Sequence, residues 1–277
     1  MKKIITLTLL LCTFLAFAQK KEKVKGSKIV KLEQKNIESF QNLEVADNLE
    51  VFLIKGNECS LEIETDDNLI EFIEYKSAGN TLKIVTSRDI TSFKKLSVRV
   101  TYTDNFKMLI AKDETNVTSL SDMTLDNITF KTFGYAKLFL NAKTKMFTLM
   151  ANDKSRIELN LTSEKTAIDL SKSAQLKALI SSTSMKFDQY QKSSATVEGD
   201  VTELDLRLDN NATFSGEKLT AKNAEIKAEG YSNATIIVAT KVIIDASGKS
   251  EIELYGEPKI ELKRFTESAV LRKKPTK

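Results

Sequence analysis

From residue 37 to about 104 apolar and polar residues alternate in runs of strand length. LEVFLIKG carries Val51 and Leu53 at period two, and SLEIETDD carries Leu61 and Ile63. The KGNE at 55–58 between them supplies a glycine-containing turn, so the two runs predict a hairpin. NTLKIVTS and KKLSVRVTYTD continue the alternation, with Val98, Val100 and Tyr102 on one face. NLIEFIEYKSAGN, which precedes them, fits two templates. Leu69, Ile70, Phe72 and Ile73 share a helical face behind Asp67, but the β-rich neighbours favour a strand over 68–80.

Beyond residue 105 the pattern repeats. GYAKLFL (134–140), KSRIEL (154–159), KSAQLKAL (172–179), SSATVEG (193–199), NNATFSG (210–216), SNATIIV (232–238), GKSEIEL (248–254) and ESAVL (267–271) share one form. Each sets a small residue ahead of an alternating apolar run: Ala136, Ser155, Ala174, Ala195, Ala212, Ala234, Ser250 and Ala269, at a mean spacing of 19 residues. A second alternating run, such as ITFKTF, FTLMAN, LDLRLD or VIIDASG, precedes most of them. One repeat therefore reads as strand, corner, strand and polar return.

A single repeat cannot stand alone. Ordering nineteen residues costs roughly 28 kcal/mol at ~1.5 kcal/mol each. About five inward side chains return only ~1.5–3 kcal/mol apiece. Stacking coils at ~4.8 Å closes the backbone ladders and makes the core continuous. The expectation is an all-β parallel β-solenoid of about eight ~19-residue coils over 106–271, a rod roughly 38 Å long. The β-rich region 37–105 would be continuous with it and cover one end. At the other, Arg272, Lys273, Lys274 and Pro275 in a basic tail (272–277) would set charge and a missing donor against further strand addition.

Charge refines this picture. The chain carries 42 Lys+Arg against 38 Asp+Glu, yet seven Lys lie in 19–36 and four positive charges in 272–277. The body between them is net acidic, which disfavours nucleic acid as a partner. Residues 19–36 read as a basic flexible segment. With no His in the chain, Ser/His/Asp and Cys/His catalysis are excluded, and the commonest transition-metal ligand is missing. No phosphate-binding glycine loop, CxxC pair or EF-hand pattern occurs, so no cofactor or metal is expected.

MKKIITLTLLLCTFLAFAQ combines Lys2 and Lys3, an apolar stretch from Ile4 to Phe17, and an Ala16-Phe17-Ala18 cleavage site. It predicts a signal peptide over 1–18 and an exported protein in the periplasm, on the outer surface or secreted. Cys12 lacks the small residues of a lipobox. No later segment is apolar enough for a helical span, so no membrane span is expected after cleavage. Cys59 would then be the only cysteine, a small apolar residue at a strand start.

VIIDASGKSEIELYGEPKIELKR, with Gly248, Ser250, Tyr255, Gly256 and Pro258, resembles the closing repeat of the putative auto-transporter adhesin, head GIN domain family. FQNLEVADNLEVFLIKGNE and NTLKIVTS are similar to its opening segments, so the likeness spans roughly 37–271. The resemblance implies a right-handed parallel β-helix in an exported protein of Bacteroidetes-like bacteria. It supplies no catalytic residues. Lys172, Ser193 and Asn210 stand where corner glycines are usual, which puts the turn of the third coil in doubt.

Parallel β-helices also host polysaccharide lyases and hydrolases. Asp169, Asp188, Asp205 and Arg207 occupy comparable strand positions in three consecutive coils and would share an outer face. Two carboxylates and an arginine can bind Ca²⁺ or abstract a proton. Extending that ladder to Lys131, Lys227, Asp245 and Lys263 gives mixed-sign alternation, the mark of a solvated face with cross-strand ion pairs. A lectin site would favour aromatic platforms, but there is no Trp, and Tyr190, Tyr231 and Tyr255 sit near corners. Asn-x-Thr at Asn116, Asn127, Asn160, Asn211 and Asn233 fits turn and strand chemistry. The favoured reading is a non-enzymatic, adhesin-like or structural protein of the cell envelope, contacting an envelope or extracellular polymer or protein along the rod. The alternatives are a polysaccharide lyase or hydrolase using Asp169, Asp188 and Arg207, and a periplasmic binder of an envelope component.

Overall fold

The computed structural model describes residues 21–275; the expected signal peptide, with Cys12, lies outside the described residues. Nine strands fill the first part: β1 (Lys23–Lys25), β2 (Val30–Asn36), β3 (Asn42–Val45), β4 (Glu50–Lys55), β5 (Ser60–Asp66), β6 (Ile73–Ala78), β7 (Thr81–Thr86), β8 (Asp89–Thr91) and β9 (Leu96–Tyr102). The body then runs through β10 (Met108–Ala111), β11 (Asn116–Ser119), β12 (Met123–Thr132), β13 (Lys137–Ala151), β14 (Arg156–Leu170) and β15 (Gln175–Gln189). It closes with β16 (Ser194–Leu208), β17 (Thr213–Ala228), β18 (Asn233–Ala246), β19 (Glu251–Tyr255), β20 (Lys259–Phe265) and β21 (Val270–Lys274). All but β1 and β8 belong to one continuous sheet.

From β10 onward the sheet is a parallel β-solenoid of about nine turns. The register is constant: Arg156 stands on Lys137, Gln175 on Arg156, Ser194 on Gln175 and Thr213 on Ser194, each 19 residues on. Each coil is mostly one long strand, so the polar return expected between two strands is itself laddered. It bends at a single unpaired residue, the column Asp126, Lys145, Glu164, Thr183, Thr202 and Lys222. Alternation does the packing. Val98, Val51, Val117, Leu138, Ile157, Leu176, Ala195, Phe214, Ala234, Ile252 and Leu271 form one inward column. All but Leu271 are buried. A fully buried leucine in such a column contributes ~1.5–3 kcal/mol.

A four-residue turn closes each coil, and its backbone is laddered too: Lys154 N–H donates to the Gly134 carbonyl at 2.8 Å, and Ser173 N–H to Asp153 at 2.8 Å. The second turn position has positive φ throughout: Gly134, Asp153, Lys172, Gln191, Asn210, Gly230, Gly248 and Glu267. The corner expected at Ser193 is therefore at Gln191. Lys172, at φ 58°, turns like its neighbours, so the doubt over the third coil is removed. Its ammonium also reaches Asp153 at 2.6 Å, joining successive turns. At Gly134 a side chain is doubly disfavoured: φ is +71°, and a Cβ would come within 3.0 Å of Asp113 backbone.

The small inward column is Thr115, Ala136, Ser155, Ala174, Ser193, Ala212, Ser232, Ser250 and Ala269. Ser193 and Ser232 hold the places expected for Ala195 and Ala234. The latter also point inward but lie two residues further along, which preserves the parity. Thr115 begins an additional coil that the Ala/Ser pattern does not mark.

The head departs from the expected hairpin. β4 and β5 do not pair; β9 lies between them, parallel to β4 and antiparallel to β5. β9 takes the central place and buries five of its seven residues, Ser97 included. The rung β3–β4 is sandwiched between β7–β9 and β10–β11, so the chain lays it down first and then passes to either side. The ambiguous segment divides: Asp67–Phe72 is a 3-10 turn burying Leu69, and only 73–78 is strand.

Residues 19–36, expected to be flexible, carry β1 and β2 wherever described, with β2 antiparallel to β5. A buried carboxylate holds the segment. Asp66 accepts the N–H groups of Lys28 at 2.8 Å, Lys94 at 3.0 Å and Lys95 at 3.0 Å. Burial opposes its ionisation, but the Lys95, Lys28 and Lys94 amides outweigh it and hold the carboxyl below its ordinary value. A Cβ on Gly26 would lie 2.0 Å from Asp66 Oδ2, so only glycine fits beside this clasp. The basic tail is likewise structured through Lys274: Arg272 pairs with Glu251, and Lys274 with Glu253 at 3.3 Å. Cys59, a free thiol, is half-buried one residue before β5.

Candidate functional site

Period two sends every second strand residue outward, and the 19-residue register stacks those residues into columns. One column reads Lys131, Met150, Asp169, Asp188, Arg207, Lys227, Asp245 and Arg264. Asp169, Asp188 and Arg207 are thus brought together on three successive coils, as the spacing predicts. Asp205 is not in that column. It stacks between Lys186 and Glu225, two residues away on the same face. Lys263 is displaced as well: a bulge puts Arg264 opposite Asp245.

Lys186 reaches Asp188 at 3.3 Å, and the Arg207 guanidinium lies 5.5 Å from the Tyr190 ring centre. Burial, followed by repulsion from Asp188, raises both the Asp169 and the Asp205 carboxyls. Further along, Arg264 bonds Asp245 and Glu229, both at 2.6 Å, and Lys263 bonds Glu225 at 2.6 Å. The columns mix both signs: Asp169 lies beside Asp188 and Arg207 beside Lys227, while Asp188 meets Arg207 and Lys227 meets Asp245. Among the described residues no three His, Cys, Asp or Glu side chains are grouped to hold a metal ion.

The concavities are shallow hollows between outward columns. One of about 460 Å³ lies over β11 and β13–β16, with Phe139, Asn141, Glu158, Asn160, Lys177 and Leu179 in its lining. A second, about 510 Å³, is lined by Lys186, Glu203, Asp205, Asn223, Glu225 and Lys241. Phe139 and Leu179 face solvent within KLFLN and KALI, where the alternation fails and three apolar residues run together. That failure was the signal available for them; a search for aromatic residues near corners passes them by. At the turns, Tyr135 and Tyr231 are exposed, each carrying the next coil's lysine over its ring: Lys154 and Lys249, both at 5.2 Å. Tyr190 is half-buried.

A rod of stacked coils with laddered, mixed-charge faces and shallow hollows defines the class as a parallel β-solenoid. The chain belongs to the putative auto-transporter adhesin, head GIN domain family, whose profile matches residues 39–258. The crystal structure of a putative adhesin from Parabacteroides distasonis aligns at TM-score 0.67 and 16% identity, covering 91% of this chain and 100% of the other. That of a putative adhesin from Parabacteroides merdae aligns at 0.60 and 15%, covering 92% and 98%. A putative lipid binding protein from Parabacteroides distasonis aligns at 0.63 and 13%, covering 91% and 100%. At these identities the likeness is one of fold. Among curated proteins none matches the chain. No helix among the described residues is long and apolar enough to cross a membrane.

Proposed function

We propose that this chain is an exported, non-enzymatic envelope protein that holds an extended polymer or protein by many weak contacts along the solenoid. The observation that carries this reading is the repetition of outward side chains at one strand spacing over successive coils. A linear ligand meets an outward side chain at the same place on every coil, and weak contacts multiply. The family and its solved relatives, named adhesins, support it. Protease shaving of intact cells, with a periplasmic protein as leak control, tests the location. Loss of the chain while the control survives is expected. Protection until the outer membrane is opened would overturn the surface role and favour a periplasmic binder.

A second reading rests on the raised Asp169 and Asp205 carboxyls beside Asp188 and Arg207. There the face acts on an acidic polysaccharide as a lyase or hydrolase. Cleavage of a polyuronide by the protein, lost in an Asp169→Ala/Asp188→Ala variant, would establish it; no turnover removes it.

A further inference from the structure

The two ends of the solenoid are finished differently. At the head, Leu82 and Val98 end the inward columns fully buried, with β6 and β5 laid antiparallel beside them and β2 outside β5. At the tail the columns stop in the open. All seven residues of β20 are exposed. Ile260, Leu262 and Phe265 are 37%, 52% and 38% exposed, whereas Val242, Ile244 and Ala246 beneath them are at most 1%. Among the described residues no strand pairs with the outer edge of β20 or β21, so backbone donors and acceptors are left there beside apolar side chains.

We infer that this end is an interface between two copies of the chain, joined tail to tail about a two-fold axis across β20. The charge pattern selects a second copy. Laid antiparallel on itself about Leu262, the segment Lys259-Ile260-Glu261-Leu262-Lys263-Arg264 brings Leu262 against Leu262 and sets Glu261 opposite the other copy's Lys263. The two-fold makes this acid–base pair twice. Within their own chain Glu261 pairs with Lys241 at 3.0 Å and Lys263 with Glu225 at 2.6 Å, yet they stay 49% and 51% exposed, so each keeps a face open to a second partner. The contact closes after two copies because the head ends in antiparallel strands and has no matching open coil. The pair would be a rod of twice the length with its heads outward.

The test is sedimentation velocity of the purified protein across a hundredfold concentration range. The expected result is a mass that doubles with concentration and goes no further, and Leu262→Lys holding it at one copy. Glu261→Lys and Lys263→Glu are expected each to be monomeric alone, with circular dichroism unchanged. An equimolar mixture of the two restores the pair, because every facing position is again acid against base. A single copy at all concentrations, a pair unaffected by Leu262→Lys, growth beyond two copies, or a mixture that stays monomeric would each overturn the inference.

Discussion

Replacing Asp66 with alanine tests whether the head is held by one carboxylate. The side chain is fully buried and takes three backbone N–H groups, from Lys28, Lys94 and Lys95, at 2.8–3.0 Å. A hydrogen bond to a charged acceptor is worth about 1.5–3 kcal/mol, and stranding the donors adds a desolvation penalty. Water reaches these partly buried loops in the variant, so the sum falls well short of three full bonds. Asp66→Ala is expected to cost about 3–5 kcal/mol and Asp66→Asn about 1.5–3, since the amide keeps one acceptor. Urea unfolding followed by circular dichroism measures both, and limited proteolysis should show cleavage within 21–36. The folded carboxyl titrates below its ordinary value, so its stabilisation is complete above about pH 3.9. It fades as pH falls through the lower folded value. Asp66→Asn lacks that slope, and the two proteins converge in acid. A loss under about 1 kcal/mol for Asp66→Ala, or an identical acid slope in Asp66→Asn, refutes the clasp.

Four further outcomes are expected. Gly134→Ala should cost about 2 kcal/mol or more, because an L-residue at φ +71° is strained and its Cβ meets the Asp113 backbone; thermal denaturation reads it. Ser193, Ser232 and Ser250 bury hydroxyls without partners in a column otherwise shared with alanine, so Ser232→Ala should be neutral or stabilising by up to about 1 kcal/mol in urea. Tyr102→Phe belongs with them: its buried hydroxyl is unpartnered, and burial and then Asp104 push it up to about 12. Asp169→Asn should raise the melting temperature at pH 7. The raised Asp169 carboxyl makes the native protein gain stability as pH falls through its folded value toward the ordinary one, and the amide removes that gain.

The solenoid was legible because its physics is local. Inward parity and a small residue at each turn recur at one spacing, and the long strands follow from them. What escaped is what period two cannot encode. A slip of two residues keeps every side chain on its face, so Ala195 stood in for Ser193 and Asp205 for a member of the Asp188 column. Only the backbone register separates them. The head escaped for another reason: β9 enters between β4 and β5 from some forty residues further along, and a local turn signal carries no information about such a strand. The flexible reading of 19–36 counted lysines and missed Gly26, whose missing Cβ admits the Asp66 carboxylate.

The threading of the head gives the molecule a mechanical direction. In the body each coil holds only its neighbours, so tension on the tail peels one turn at a time, releasing about 60 Å of chain per step at ~3.3 Å per residue. The head has no such sequence of small steps. Its rung β3–β4 is gripped from both sides by strands distant in the chain, Leu43 by Leu82 and Leu109, Val51 by Val98 and Val117. Extension there must break several ladders together and drag the clasped Asp66 out of its amides. Under load the protein behaves as a line that runs out from one end and is made fast at the other.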